Sequence, residues 1–176
     1  GKLNDGLSRA LCWSAAWDMF RDAELSATDF IEIALTGLAG EDDITTVTAL
    51  MTQLNTAVEI YASDKNRDFL REKVAGALLS LLKSAKAGSD HQLQFARSFA
   101  ALAHSKEQGA EIRNILDGKF QDLKIDADLR WHLILCLVER GLSSRAEIDA
   151  ELKRDNTLTG ALSHERCIAA FPTLEA

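Results

Sequence analysis

The chain has 176 residues, 47% of them hydrophobic and 27% charged, with one proline and ten glycines. That composition excludes a disordered chain, which needs low hydrophobicity, and a collagen-like or Pro/Gly-rich low-complexity chain, and the length fits one domain with a buried core. Twenty basic against 27 acidic residues give a net charge of −7, so there is no general attraction for nucleic acid or an anionic membrane, and no apolar run reaches the roughly 18 residues of a membrane span.

Apolar spacing is helical along nearly the whole chain, and no segment alternates as a strand does. The spacing predicts about nine helices, over 7–22, 27–38, 43–62, 66–87, 90–104, 106–117, 127–140, 145–154 and 158–170. In the third, Ile44, Val47, Met51, Leu54, Val58 and Tyr61 alternate gaps of three and four and form one stripe. In the fourth, Leu70, Val74, Ala77, Leu78, Leu81, Leu82 and Ala85 do the same. Ser26 and Asp126 are placed to cap helices, and Leu25 with Phe30 forms a hydrophobic staple. Ser89 with Gln92, Ser105 with Gln108, and Ser144 with Glu147 fit the capping box. Gly40, Gly88, Gly118 and Gly141 mark helix ends, where a left-handed residue is wanted.

Short polar turns make neighbouring helices antiparallel. The hairpins begin near residues 7, 43, 90 and 127, a period of roughly 40 residues, as in HEAT and armadillo arrays. The expectation is an all-α, curved array of antiparallel helical hairpins forming a single helical domain over 1–176. The alternative is a compact irregular bundle. Pro172 followed by Thr173 and Glu175 reads as the start of another helix. The sequence thus looks like an excised piece of a longer polypeptide.

Chemistry is harder to find. His91, His104, His132 and His164 make no His-Glu-x-x-His pattern, and there is no Walker loop, Gly-x-Ser-x-Gly or Gly-x-Gly-x-x-Gly. His132 with Cys136, and His164 with Cys167, share helical faces; each pair is either two metal ligands or a core cysteine beside a half-buried histidine. Cys12, Cys136 and Cys167 lie in apolar surroundings, which suits inert thiols, and their odd, sparse set fits a reducing cytoplasm. Glu41-Asp42-Asp43 and Asn4-Asp5-Gly6-Leu7-Ser8 each begin like a magnesium motif of all-α prenyl-transfer enzymes. Each lacks a carboxylate, at Thr46 and Cys12 respectively. Carboxylates before a helix also complement its dipole. Arg9, Trp13 and Trp17 fall on one helical face, and Arg130 adjoins Trp131. Such pairs act either as core packing or as a wall where arginine meets a ligand carboxylate.

Several stretches together resemble one family: Leu7–Asp22 (LSRALCWSAAWDMFRD), Gly88–Leu93 (GSDHQL) leading to Ala96–Ala100 (ARSFA), Asp128–Trp131 (DLRW), Ile148–Asp155 (IDAELKRD) with Thr159-Gly160, and Phe171–Ala176 (FPTLEA). The ordered set is similar to the C-terminal helical domain of bacterial aminopeptidase N, especially the actinobacterial type, which is related to endoplasmic-reticulum aminopeptidases. The resemblance implies a zinc-dependent parent peptidase that removes N-terminal residues from peptides. Its zinc and catalytic residues lie in earlier domains, so this segment carries no catalytic or metal residue and no cofactor of its own. It also implies a HEAT-like bowl that caps the active-site chamber and controls peptide access. The partners implied are the catalytic domain of the same polypeptide and peptide substrates, not nucleic acid or membrane.

A bowl that meets a peptide's C-terminal carboxylate needs a placed cation. Arg130 is the first candidate, then Arg97 and Arg9, with His91 and Gln92 as further cavity-facing residues. The competing reading is a free-standing HEAT-like adaptor that binds a partner protein on its concave face.

Overall fold

A computed structural model describes residues 5–120 and 122–171. The expected helix after Pro172, and Asn4, lie outside the described residues. Helices α1 (Gly6–Arg21), α2 (Ala27–Leu38), α3 (Ile44–Thr56), α4 (Asp64–Ser84), α5 (Asp90–Leu102), α6 (Lys106–Leu116), α7 (Ala127–Glu139), α8 (Arg145–Arg154) and α9 (Leu158–Ala169) follow in order. There is no strand among the described residues. The molecule is all-α.

Local chemistry sets nearly every helix start. Asp5, Ser26, Asp43, Ser89, Ser105, Asp126, Ser144 and Thr157 each accept the backbone N–H three residues on, which satisfies a donor that has no partner inside the helix. Ser105 and Gln108 complete the reciprocal box. At α5 the Gln92 side-chain oxygen accepts the Gly88 N–H at 2.8 Å. Gly88, Gly118 and Gly141 have φ of +72°, +71° and +66°, the conformation glycine adopts without steric cost. Gly40 departs from expectation. The helix end there stays right-handed at Ala39, and the Gly40 N–H reaches the Gly37 carbonyl at 3.0 Å. The left-handed residue after α1 is Ala23, with φ +62°.

Three long helices end differently from the spacing. The third breaks into a π-helical turn over Ala57–Tyr61 before Ala62 turns extended. α4 stops at Ser84 because Ala85 is extended. α5 stops at Leu102, where the Arg140 guanidinium donates to the carbonyls of Ala101 and Ala103, groups that a helix end leaves unpaired.

The helices pack in alternation. α1, α3, α5, α7 and α9 form a row in which each touches the next. α2 packs on α1 and α3, α4 on α5, α6 on α5 and α7, and α8 on α9. The interior is built from Phe30, Ile31, Leu50, Leu54, Leu70, Leu78, Phe99, Ile112 and Leu129, all essentially dry. Near α1 the core is aromatic. Phe20 stacks on Phe30 at 4.8 Å between ring centres, and Trp17 and Tyr61 close around them.

Candidate functional site: a polar trough across the helix row

Each arginine beside a tryptophan meets a carboxylate of the protein itself. The Arg9 guanidinium clasps Glu41 (Nη2–Oε1 2.9 Å) and reaches Asp42 at 2.5 Å. The Trp13 indole N–H donates to the same Glu41, at 3.3 Å. Glu41 also accepts the backbone N–H groups of Asp42 and Asp43. With Arg9 first among these donors, the Glu41 carboxyl is held down at about 2. Asp43 caps α3, and Asp5 caps α1. The acidic residues that opened the magnesium reading are therefore engaged as caps and ion-pair partners.

Arg130 is gripped just as firmly. Its Nε and Nη2 donate to the two oxygens of buried Glu151, at 2.7 and 2.6 Å, and Nη1 reaches the Leu116 carbonyl at 3.2 Å. Beside it the Trp131 indole donates to Asp155 at 2.8 Å. Gln92 is buried at the start of α5. His91 lines a cleft of about 310 Å³ with Glu41, Lys86 and Phe95. The Arg9 groove is separate and is lined by Leu7, Asp42 and Asp43 among others.

Arg97 occupies a different kind of position. With His132, it lines two neighbouring clefts. One, of about 100 Å³, lies among Arg97 and Asp128, His132 and Leu135 of α7, and Ser163, Arg166 and Cys167 of α9. The other, of about 230 Å³, crosses from Thr52 and Asn55 of α3 to Gln94 and Ser98 of α5 and again meets Arg97 and His132. A third, of about 280 Å³, shares Ala101 and Leu102 with the second and continues to Glu59, Arg71 and His104. Through these shared residues the three line up as a trough from α9 across α7 and α5 to α3, the π-helical turn and α4. Arg97 holds Asp128 at 2.6 Å, with its side chain 32% exposed.

The lining of this trough is mostly polar. Amide and hydroxyl side chains line its middle, and two guanidiniums stand at its α9 end. His132 lies with Nε2 2.9 Å from the Arg97 carbonyl, which only accepts, so that nitrogen carries the proton. Burial lowers the His132 pKa and favours the neutral ring. Cys136 is 3.8 Å from the same Nε2. Burial pushes the Cys136 and Cys167 thiols up to about 11, so both are protonated at neutral pH. Among the described residues, no three His, Cys, Asp or Glu side chains converge as a metal site. His164 bonds Asp149 at 2.8 Å.

Sequence reasoning singled out Arg97 but missed Ser163, Arg166, Gln94 and Asn55. Neutral polar residues on helix surfaces carry no spacing signal, Arg166 is one of twenty basic residues, and only the packing of alternate helices gathers them.

The fold defines an all-helical domain with a polar trough on its surface. Residues 2–176 match the model of the ERAP1-like C-terminal domain, and the chain belongs to that family. It is 41% identical over 175 residues to the aminopeptidase N of Streptomyces lividans, a match covering 98% of this chain and 20% of the relative. The chain thus spans about a fifth of that relative's length. The resemblance carried by Leu7–Asp22 and the later stretches is to this same family. No helix among the described residues is long and apolar enough to cross a membrane.

Proposed function

We propose that the chain is a single non-catalytic domain within the C-terminal part of a zinc-dependent aminopeptidase, which removes N-terminal residues from peptides. In that enzyme it caps the active-site chamber as a HEAT-like array and controls peptide access, while zinc and the catalytic groups lie in the rest of the polypeptide. The trough carries this reading. An extended peptide needs hydrogen-bond partners for its backbone and a cation for its terminal carboxylate. Thr52, Asn55, Gln94 and Ser98 offer the first, and Arg97 with Arg166 offers the second. Arg97 is preferred to Arg130 and Arg9, whose partners include the buried carboxylates Glu151 and Glu41. The enzyme works in the cytoplasm, in keeping with three free thiols.

The test is kinetic, on the full-length aminopeptidase that carries this sequence. Arg97→Gln with Arg166→Gln is expected to raise KM about tenfold for long peptides with a free C-terminal carboxylate, the cost of about one charge-assisted hydrogen bond. Turnover of an aminoacyl anilide, which never reaches the trough, stays unchanged. Equal losses on peptide acids and peptide amides would overturn the carboxylate role. Zinc-dependent hydrolysis by the isolated 176-residue chain would overturn the non-catalytic reading.

A further inference from the structure

α1 stands at one end of the helix row. Trp13, Trp17 and Phe20 turn one face of it toward the core, and of its 16 residues only Phe20 is buried. On the opposite side Leu7, Leu11, Ala15 and Met19 follow at intervals of four. Leu7 is 69% exposed and Leu11 62% exposed. A row at i, i+4, i+8 is the ridge that one helix inserts into the groove of a neighbour. The outer helix of an array that ends in water carries a polar outer face; this one carries leucines. Beside the ridge runs an open groove of about 630 Å³, walled by Leu7 and Ala10 on one side and by Asp42, Asp43 and Thr46 on the other.

We propose that this face is the docking site for an amphipathic helix from the remainder of the same aminopeptidase polypeptide, with basic residues flanking its apolar stripe. The inference rests on the reading of the chain as part of a longer enzyme, as in the relative of which it spans about a fifth. Charge selects the occupant. Asp18 and Asp22 continue the ridge's face at its far end, with the Arg21 guanidinium 3.9 Å from Asp18, and Asp42, held by Arg9, is exposed at the groove; four acids, Asp18, Asp22, Asp42 and Asp43, stand there against two arginines. A basic flank complements them. A second copy of this chain, itself of net charge −7, would bring the same acids face to face.

The chain carries its own reporter. Cys12 borders the ridge and is exposed, whereas Cys136 and Cys167 are buried. Maleimide labelling of Cys12 is expected to be at least about tenfold slower in the full-length polypeptide than in the 176-residue chain. Leu7→Glu with Leu11→Glu is expected to leave the thermal midpoint of the chain alone unchanged and to restore fast labelling in the full-length polypeptide. Labelling at equal rates in a full-length product would overturn this inference and leave the aminopeptidase reading standing. A native product of only about 19.3 kDa would overturn both. Self-association of the chain that Leu11→Glu abolishes would assign the face to a second copy and overturn the proposal.

Discussion

The two ends of the molecule use the same parts with different geometry. Near the N-terminus, Arg9 and Trp13 converge on one carboxylate, Glu41. Near the C-terminus, Arg130 and Trp131 diverge, the first to Glu151 and the second to Asp155. Helical periodicity accounts for the difference. Residues at i and i+4 lie on one face, so Arg9 and Trp13 share a partner; adjacent residues point about 100° apart and need one partner each. Each cluster also contains a glycine with no room for a side chain. A Cβ on Gly37 would lie 1.9 Å from the Trp13 ring, and one on Gly160 would lie 2.1 Å from the Asp155 carbonyl oxygen. At both ends the arginine beside a tryptophan is taken up by an acid that the protein itself supplies.

The clusters are seated differently as well. α7 buries Leu129, Trp131, Leu133, Ile134, Cys136, Leu137 and Val138, whereas α1 buries only Phe20. Breaking the C-terminal cluster is therefore expected to cost the most. Glu151→Ala strands Arg130, whose side chain is 17% exposed, and should destabilise the chain by about 4 kcal/mol. Glu41→Ala should cost about 2 kcal/mol, because Arg9 keeps Asp42 and α1 can loosen by itself. Urea unfolding of both variants measures the difference, and equal losses would erase the distinction between the two ends.

The glycines order the same way at lower cost. Gly160→Ala drives its methyl into a backbone carbonyl and should cost about 3 kcal/mol. Gly37→Ala meets the outer edge of a half-buried indole that can tilt, and should cost about 1 kcal/mol. Thermal unfolding separates the two by several degrees.

Acid acts on a carboxylate in each cluster. Glu41 titrates at about 2 in the folded chain against 4.5 ordinarily. A lowered carboxylate pKa stabilises the fold in full above the ordinary value, and the contribution is lost as pH falls through the folded one. Stability should therefore decline from about pH 4.5 toward 2. Glu41→Gln, less stable at neutral pH, should decline less over that window. Asp155, lowered first by the Trp131 indole and then by Thr157, gives a loss of the same sign, which Asp155→Asn removes. Melting temperatures measured from pH 2 to 5 test both, and parallel curves for wild type and Glu41→Gln would refute the assignment.

Much of this architecture was legible because it is local. The caps at Ser26, Ser89, Ser105, Asp126 and Ser144 act over three residues, and the apolar stripes over one helix. The π-helical turn at Ala57–Tyr61 escaped because no proline or glycine announces it. Partner choice escaped because it is long-range: Arg9 finds Glu41 across 32 residues and Arg130 finds Glu151 across 21. The Glu41-Asp42-Asp43 run shows the limit most directly. Three adjacent acids do different work, since Glu41 is buried as a clamp, Asp42 braces Arg9 at the surface and Asp43 caps α3. Charge is common to them; burial sets Glu41 apart, and of the two exposed acids only Asp43 stands at the N-cap position of α3. The same holds for the trough, where Arg97 was legible as a cation but Gln94 and Asn55 had nothing to distinguish them from solvated polar residues.

The smallest expected effect compares the ends at the level of one dihedral angle. Ala23, after α1, and Asp122, before α7, both have left-handed backbones, with φ of +62° and +55°. A left-handed conformation costs an ordinary L-residue about 1–2 kcal/mol, and aspartate less, since its short polar side chain bonds locally. Glycine removes that cost but loses more entropy on folding, about 0.5–1 kcal/mol. The balance differs by site. Ala23 is exposed, so its methyl gives up no packing, and Ala23→Gly should stabilise the chain by about 0.5–1 kcal/mol. Asp122→Gly should leave stability unchanged, because the two small terms offset. Should both variants gain equally, the aspartate has no local bond to lose. A loss at Ala23→Gly would mean that the turn after α1 forms differently, with the Ala23 N–H no longer on the Phe20 carbonyl at 3.1 Å.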